Sequence, residues 1–380
     1  MRILIIARNF PPLVGGMERL NWHLAAELGA RAEVRLVSIR GAAAEAPQGI
    51  VVREAALRPL PWFFLGAGIG AVREALRFRP DWVIAGSGLT APIAALAARL
   101  AGANYAVYVH GLDLVVGSRL YQAGWLPAIR RADSVFANSA ATLRLAIAAG
   151  IAEARAVVVH PGVTLAHPDP EERLQIRDRI RGELDVGAGP VLLSVGRLTE
   201  RKGMVPFVRD VLPLLARRCP DLCLLIVGDT PSAALAAPLE TAGDILDVAV
   251  RAGVDQHIRL LGQVEENRLR QLWFASDVHV FPVREMPNNP EGFGMVAVEA
   301  AASGVPTVAY AVGGVVDAVQ DGVSGRLVPP GDSAGFAEAV LQMVQSPPSA
   351  QAVRDFSMPF AWPAFGERVF EQLQSGGSDG

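Results

Sequence analysis

Short apolar runs rich in Val, Ile and Leu recur along the chain, and between them apolar positions return every third or fourth residue. In the first half the runs fall at 2–8, 33–39, 50–54, 81–86, 104–110, 134–138 and 156–160. Helical spacing fills 18–29, 69–79, 91–101, 121–131 and 140–149. A strand without a polar face must be covered on both sides, so this alternation predicts parallel sheets sandwiched between helices. The second half repeats the pattern, with strands over 191–195, 222–227, 258–262, 278–282 and 306–310. Its helices are predicted over 205–218, 233–252, 265–275, 294–303 and 333–346.

A chain of 380 residues is too long for one ordinary core. The pattern breaks at Thr164-Leu165-Ala166-His167-Pro168-Asp169-Pro170 and again at Gly187-Ala188-Gly189-Pro190, with a charged helix over 171–183 between them. The expected organisation is a first α/β domain over 1–165, a linker over 166–189 and a second α/β domain over 190–355. The tail carries Phe356, Phe360, Trp362, Phe365 and Phe370. That is too aromatic for a solvated end, so residues 356–375 are expected to pack back on the first domain.

Composition narrows the class. Hydrophobic residues make up 51% and charged residues 19%, which is globular, and the net charge of −3 argues against a nucleic-acid binder as a whole. The charge is unevenly placed: residues 1–165 hold 17 Arg against 10 acids, and the remainder holds 18 basic residues against 28 acids. A basic first half suits an anionic lipid or an anionic acceptor. Cys219 and Cys223 make no framework, and Cys223 reads as a core residue; two cysteines fit a reducing cytoplasm. The opening Met1-Arg2-Ile3-Leu4-Ile5-Ile6-Ala7 is too short for a signal core, and no run of 18 apolar residues occurs. A cytoplasmic protein is expected, peripheral at most on the inner face of the membrane. One segment bears on that: Leu57, Leu60, Trp62, Phe63, Phe64 and Leu65 are flanked by Arg53, Arg58, Arg73, Arg77 and Arg79. Two readings stay open, an interfacial segment or aromatics filling the core beneath a loop. Pro59 and Pro61 argue against a simple amphipathic helix at that point.

The candidate chemistry starts from one residue. Of 35 basic side chains, 34 are Arg and one is Lys202. A Lys kept against such a bias suits a task that needs a compact ammonium rather than a planar fork. It follows the buried strand 191–195 in Gly196-Arg197-Leu198-Thr199-Glu200-Arg201-Lys202-Gly203. Loops at carboxyl strand ends hold ligands in α/β sheets, so Arg197 and Lys202 read as an anion clamp, for a diphosphate. A Walker loop is excluded, because Arg201 and Gly203 flank the Lys where Gly and Ser or Thr are required. The run Gly66-Ala67-Gly68-Ile69-Gly70 has the wrong spacing for a dinucleotide fingerprint and lacks a preceding strand.

The second constellation is Asn288-Asn289-Pro290-Glu291-Gly292-Phe293-Gly294-Met295-Val296-Ala297-Val298-Glu299. The Gly-Phe-Gly opening leaves backbone N–H groups at a helix N-terminus, an anion site by dipole and donors together. Carboxylates on both sides would repel a bare phosphate but suit a ligand that also carries sugar hydroxyls. The plainer reading is an acid favouring the helix dipole plus a solvated Glu.

Taken in order, Gly15-Gly16-Met17-Glu18, His110-Gly111, His160-Pro161-Gly162-Val163, Gly196-Arg197 to Lys202-Gly203, Gly228-Asp229, Gly262-Gln263-Val264 and Glu291 with Glu299 eight residues on resemble the retaining GT-B glycosyltransferases of the family 4 type, over about residues 1–345. The resemblance implies two Rossmann-like parallel-sheet domains facing across a cleft, with a C-terminal helix returning to the first. It implies a nucleotide-diphospho-sugar donor, GDP-mannose before a UDP-hexose, and a glycan or lipid-linked acceptor in cell-envelope polysaccharide or glycolipid synthesis. By the same carry-over Arg197 and Lys202 hold the diphosphate, Glu299 accepts from the ribose, and Glu291 binds the sugar near its C3 hydroxyl. Gly292, Phe293 and Gly294 present amides, Gly196 belongs to the donor-binding set, and Gly262, Gln263 and Val264 border the base. In the first domain Gly16 admits the donor closely and His110 lies over the sugar, unless it is a structural His. One departure is Gly228-Asp229-Thr230, where the family commonly has a second Gly.

No two aspartates are separated by a single residue, so the Asp-x-Asp metal site of the other major glycosyltransferase architecture is absent. No metal and no cofactor are expected; Arg197, Lys202 and the helix dipole would stabilise the leaving diphosphate. The implied course is transfer with retention, the leaving phosphate taking the acceptor proton. Two rivals share the doubled fold. One is a sugar-nucleotide epimerase, against which a separate acceptor domain speaks; the other is a two-lobed non-catalytic binding protein, for which export would be expected.

Overall fold

The computed structural model describes residues 1–165, 169–230 and 239–376. The apolar runs become thirteen strands among the described residues: β1 (Arg2–Ile6), β2 (Glu33–Ile39), β3 (Val51–Ala55), β4 (Trp82–Ala85), β5 (Asn104–Val109), β6 (Ser134–Ala137) and β7 (Ala156–Val158), then β8 (Val191–Val195), β9 (Cys223–Val227), β10 (Ile258–Gly262), β11 (Val278–Phe281), β12 (Thr307–Tyr310) and β13 (Gly325–Val328). The pairings between these strands are parallel. The first sheet runs β3-β2-β1-β4-β5-β6-β7 and the second β10-β9-β8-β11-β12-β13. In each, the first strand in sequence is central, and the chain winds one way from it and then the other. The central strands carry no polar face: Ile3, Leu4, Ile5 and Ile6 of β1 are fully buried, as are Val191, Leu192 and Leu193 of β8.

Two compact units result. The first joins Met1–Gly162 to Phe360–Gly380, and the second is Val163–Pro359. Much of the segment expected as a linker is helix Pro170–Glu183, started by Asp169, whose side chain accepts from Glu171 N. Its Ile180 is buried with Val191, Leu193 and Trp273 in the second unit's core, and Arg177 and Arg181 each reach Asp277 at 2.6 Å. The charged look of that helix misleads because one narrow apolar stripe and two ion pairs suffice to dock it. Residues 166–168 of the same segment lie outside the described residues.

The tail divides as well. Helix Ala350–Ser357 belongs to the second unit, and helix Trp362–Ser375 packs on helix Gly16–Gly29 of the first. Trp362 stacks on His23, with ring centroids 3.8 Å apart. Gly162 makes room for the indole, since a Cβ there would lie 2.2 Å from a ring carbon.

Two predicted elements need correction. Residues 60–68 are helical, within helix Leu60–Phe78, although the prolines argued otherwise. Pro59 stands at the N-cap and Pro61 in the first turn, where a missing N–H costs nothing because the first donors have no partner within the helix. Strand β13 escaped notice because Gly325-Arg326-Leu327-Val328 is short and interrupted by a charge. Its Gly325 packs so tightly that a Cβ would meet Thr307 O at 1.8 Å. Of the helix predicted over 233–252, Ala242–Ala252 is present, opened by a Thr241–Asp244 capping box, and 231–238 lie outside the described residues.

Candidate active site

In the second sheet the winding reverses between β8 and β11, so the loops leaving these neighbours part to opposite faces and open a crevice at their carboxyl ends. The loop after β8 is stitched sideways. Gly196 N donates to Val227 O at 2.9 Å, Leu198 N to Asp229 O at 3.0 Å and Gly228 N to Gly262 O at 2.8 Å. Gly228 has to be glycine: its φ is +137°, and a Cβ would lie 1.8 Å from Gly196 O. The departure noted in the sequence, Asp229-Thr230, therefore sits in a frame that still closes by backbone bonds. The same loop also docks on the one after β11, where Arg284 N donates to Arg201 O at 2.8 Å. Gly203 presses against Pro282 O, leaving no space for a Cβ.

These two loops bring Lys202 and Glu291 together from 89 residues apart. Lys202 Nζ donates to Glu291 Oε2 at 2.9 Å and lies 4.7 Å from the centre of the Phe281 ring. Arg201 donates to the same oxygen. Lys202 lines a recess with Gly196, Arg197, Met204, Val227 and Phe281. Burial lowers the Lys202 pKa to about 8, against the opposing pull of Glu291. Burial alone would raise the Glu291 carboxyl, but the positive charges of Arg201 and Lys202 outweigh it and hold it at about 2. Beneath them His279 is fully buried; its Nδ1 is 3.1 Å from Thr307 Oγ1, and burial first, then Lys202, lowers its pKa to about 3.

Glu291 is fixed through its backbone. Gly314 N donates to Glu291 O at 2.9 Å, and Gly314 fits directly beneath Gly292 O. Phe293 is buried, Gly294 turns the chain at φ +93°, and helix Met295–Ala302 starts there without a side-chain cap. Glu299 is half-buried in that helix. Arg197 is exposed at the rim; Gln263 is exposed too, and Val264 packs against the second unit's core.

The first unit has its own reversal between β1 and β4. His110, directly after β5, has Nε2 3.1 Å from Gly86 O in the loop after β4, and its backbone N donates to Asp113 Oδ2 at 3.0 Å. A carbonyl only accepts, so Nε2 is the donor in this contact. Gly16 is exposed at the start of its helix, behind Gly15 as N-cap. Sequence reasoning missed Arg201 and Phe281. Arg201 had a signal, since it is a second cation adjoining Lys202; Phe281 at the end of an apolar strand had none.

Both halves of the chain match known families. Residues 14–167 match the family model described as Glycosyltransferase Family 4, and residues 189–346 that described as Glycosyl transferases group 1. The chain is 31% identical over 369 residues to the GDP-mannose-dependent alpha-(1-6)-phosphatidylinositol monomannoside mannosyltransferase of Mycobacterium tuberculosis, covering 90% of this chain and 89% of that protein. The chain belongs to the family 4 glycosyltransferases. This glycosyltransferase is also 37% identical over 217 residues to a D-inositol 3-phosphate glycosyltransferase of Mycolicibacterium vanbaalenii, a match to 55% of this chain and 45% of the relative. It thus spans less than half the length of that relative. Among solved structures, Anabaena Alr3699/HepE in complex with UDP superposes with TM-score 0.80 at 22% identity, covering 99% of this chain and 100% of the other. That likeness shows the GT-B fold, two Rossmann-like parallel-sheet domains.

Proposed function

We propose that this glycosyltransferase moves a mannosyl unit from GDP-mannose to a hydroxyl of a glycan or lipid-linked acceptor, with retention and without a metal ion. The observation that carries the reading is the half-buried Lys202 paired with Glu291 at the β8–β11 reversal. A cation and a carboxylate in one recess suit a ligand that is anionic at one end and hydroxyl-rich at the other. Lys202 and Arg197 face the diphosphate, and the amides of Gly292, Phe293 and Gly294 at the helix N-terminus add donors. Glu291 takes a sugar hydroxyl, Glu299 the ribose, and Gly196, Gly262, Gln263 and Val264 frame the nucleoside. In the first unit, His110 and Gly16 are the candidates for contact with substrate. The fixed cations stabilise the leaving phosphate, which takes the acceptor's proton as the new bond forms, so the departing group is neutralised without a divalent ion.

GDP-mannose is preferred over a UDP-hexose because the mannosyltransferase named above matches 90% of the chain. A lipid-linked acceptor at the inner face of the membrane fits helix Leu60–Phe78, whose outer side exposes Trp62, Leu65, Ile69 and Leu76 beside Arg73 and Arg77. Such an acceptor belongs to envelope polysaccharide or glycolipid synthesis.

A thermal-shift panel of GDP, UDP, ADP, GDP-mannose and UDP-glucose, with and without EDTA, tests donor and metal together. A nucleotide at a hundred times its Kd stabilises by about 2.7 kcal/mol. GDP and GDP-mannose are expected to give the largest shifts, unchanged by EDTA. A shift that appears only with Mg²⁺ or Mn²⁺ would end the metal-free reading, and a preference for UDP would reassign the donor.

A further inference from the structure

Arg201 stands outside the diphosphate clamp yet is anchored more firmly than a surface arginine needs to be. Its carbonyl accepts from Arg284 N, and Glu200 alongside pairs with Arg284 at 3.2 Å, so the loop after β8 is tied to the loop after β11 at Glu200 and Arg201. Its guanidinium, 12% exposed, is spent on Glu291 Oε2, the same oxygen that Lys202 uses. With both cations on Oε2, Oε1 is the oxygen left to accept from a sugar hydroxyl.

The charges in this corner do not balance without Arg201. A diphosphate arriving at Lys202 draws the ammonium toward itself and weakens its hold on Glu291. A carboxylate that is 9% exposed, alone and beside an incoming anion, would be repelled or would take up a proton. A second cation that serves only the carboxylate removes the conflict.

We propose that Arg201 is a positioning residue: it keeps Glu291 ionised and turned so that Oε1 meets the donor sugar while Lys202 is engaged by the diphosphate. This rests on the reading that Glu291 contacts the sugar. The charged groups facing Glu291 are Arg197, Arg201 and Lys202, all from the loop after β8. Strand β11 brings His279, which stays neutral because its pKa is about 3, and the Gly313-Gly314 turn beneath the Glu291 backbone brings no charge.

The test compares binding of GDP-mannose with binding of GDP, or UDP-glucose with UDP if the panel selects uridine. The ratio of the two affinities is measured from pH 8 to pH 5, and each variant's ratio is divided by the parent's, which cancels the terminal phosphate of GDP that titrates at about pH 6 and isolates the sugar contacts. Glu291 itself adds no slope to the parent ratio, because its pKa of about 2 lies below the whole window. In Arg201→Gln the folded-state pKa rises into the window, so the ratio should fall roughly fivefold toward pH 5 while GDP affinity stays within about twofold. Arg201→Lys should restore most of the flat profile, which a purely structural role would not predict. Glu291→Gln separates the two readings. If it leaves the ratio unchanged, Glu291 does not hold the sugar and the underlying reading fails. If it abolishes the ratio while a folded Arg201→Gln keeps a flat, parent-like profile, the positioning role is overturned.

Discussion

At the residue scale, the site turns on one ammonium in a tight place. Lys202 lies between Glu291 and the face of Phe281, and its Cε passes within 3.6 Å of where a Gly196 Cβ would stand. Lys202→Ala should cost roughly 2–4 kcal/mol of transition-state stabilisation, read as kcat/KM. Lys202→Arg should recover only part of that, because a wide planar fork does not fit between a ring and a glycine turn. The pH profile adds a signature. Raising pH through about 8 removes the Lys202 proton, so the parent's donor KM should climb on the alkaline side. The Arg variant keeps its charge and should show a flat alkaline limb; identical limbs in the two enzymes would show that Lys202 does not face the phosphate. Lys202 was legible in the sequence because composition singled it out. Its partnership with Arg201 on one carboxylate oxygen was not, because nothing in the order of residues says which cation a glutamate 90 positions away will choose.

At the scale of elements, helix Leu60–Phe78 bears out the core reading on one face and leaves the other face apolar and exposed. Phe63, Ala67, Ala71, Ala75 and Phe78 are buried at helical spacing, so part of the aromatic cluster is core. Glu74 pins that face, accepting from Arg35 at 3.0 Å and Arg53 at 2.7 Å. The opposite side leaves Trp62 60% exposed, with Leu65 and Ile69 on the following turns. Trp62→Ser with Leu65→Ser should therefore leave the fold and nucleotide binding intact. It should lower co-sedimentation with vesicles containing anionic phospholipid by about tenfold, at roughly 0.8 kcal/mol per buried CH₂ lost. Vesicle binding equal to that of the parent at low salt would remove the membrane from the account. The prolines hid this helix in the sequence, since their effect depends on whether they fall in the first turn or beyond it, and that boundary is set by docking.

For the whole molecule, the returning tail decides whether the first unit is complete. Trp362 is 4% exposed, stacked on His23 and edge-on to Phe365, in a space that Gly162 keeps open. Trp362→Ala should destabilise the first unit by about 3–5 kcal/mol. The second unit, which ends at Pro359, should keep its stabilisation by GDP. Denaturant titration should then show an early transition insensitive to nucleotide and a later one that responds to it. A single transition that moves as a whole would mean the units do not unfold separately.

The sequence by itself determined the alternation of strands and helices and the doubled parallel-sheet class, because apolar periodicity and composition are local properties that survive without coordinates. Lys202, Glu291 and the Gly-Phe-Gly opening were legible for the same reason, as a charge or a glycine out of place in its surroundings. Only the tertiary structure decided which groups meet. The reversal between β8 and β11 brings loops 89 residues apart onto one crevice, and Gly203, Gly228 and Gly314 let their backbones close to distances that a Cβ forbids. Helix Pro170–Glu183 joined the second unit through Ile180 and Asp277, a choice made by burial and ion pairing and not by its polar sequence. The protonation of the site belongs to structure too: the same glutamate and lysine would titrate ordinarily in water, but burial lowers the lysine to about 8, and the charges of Arg201 and Lys202 outweigh burial to hold the glutamate at about 2.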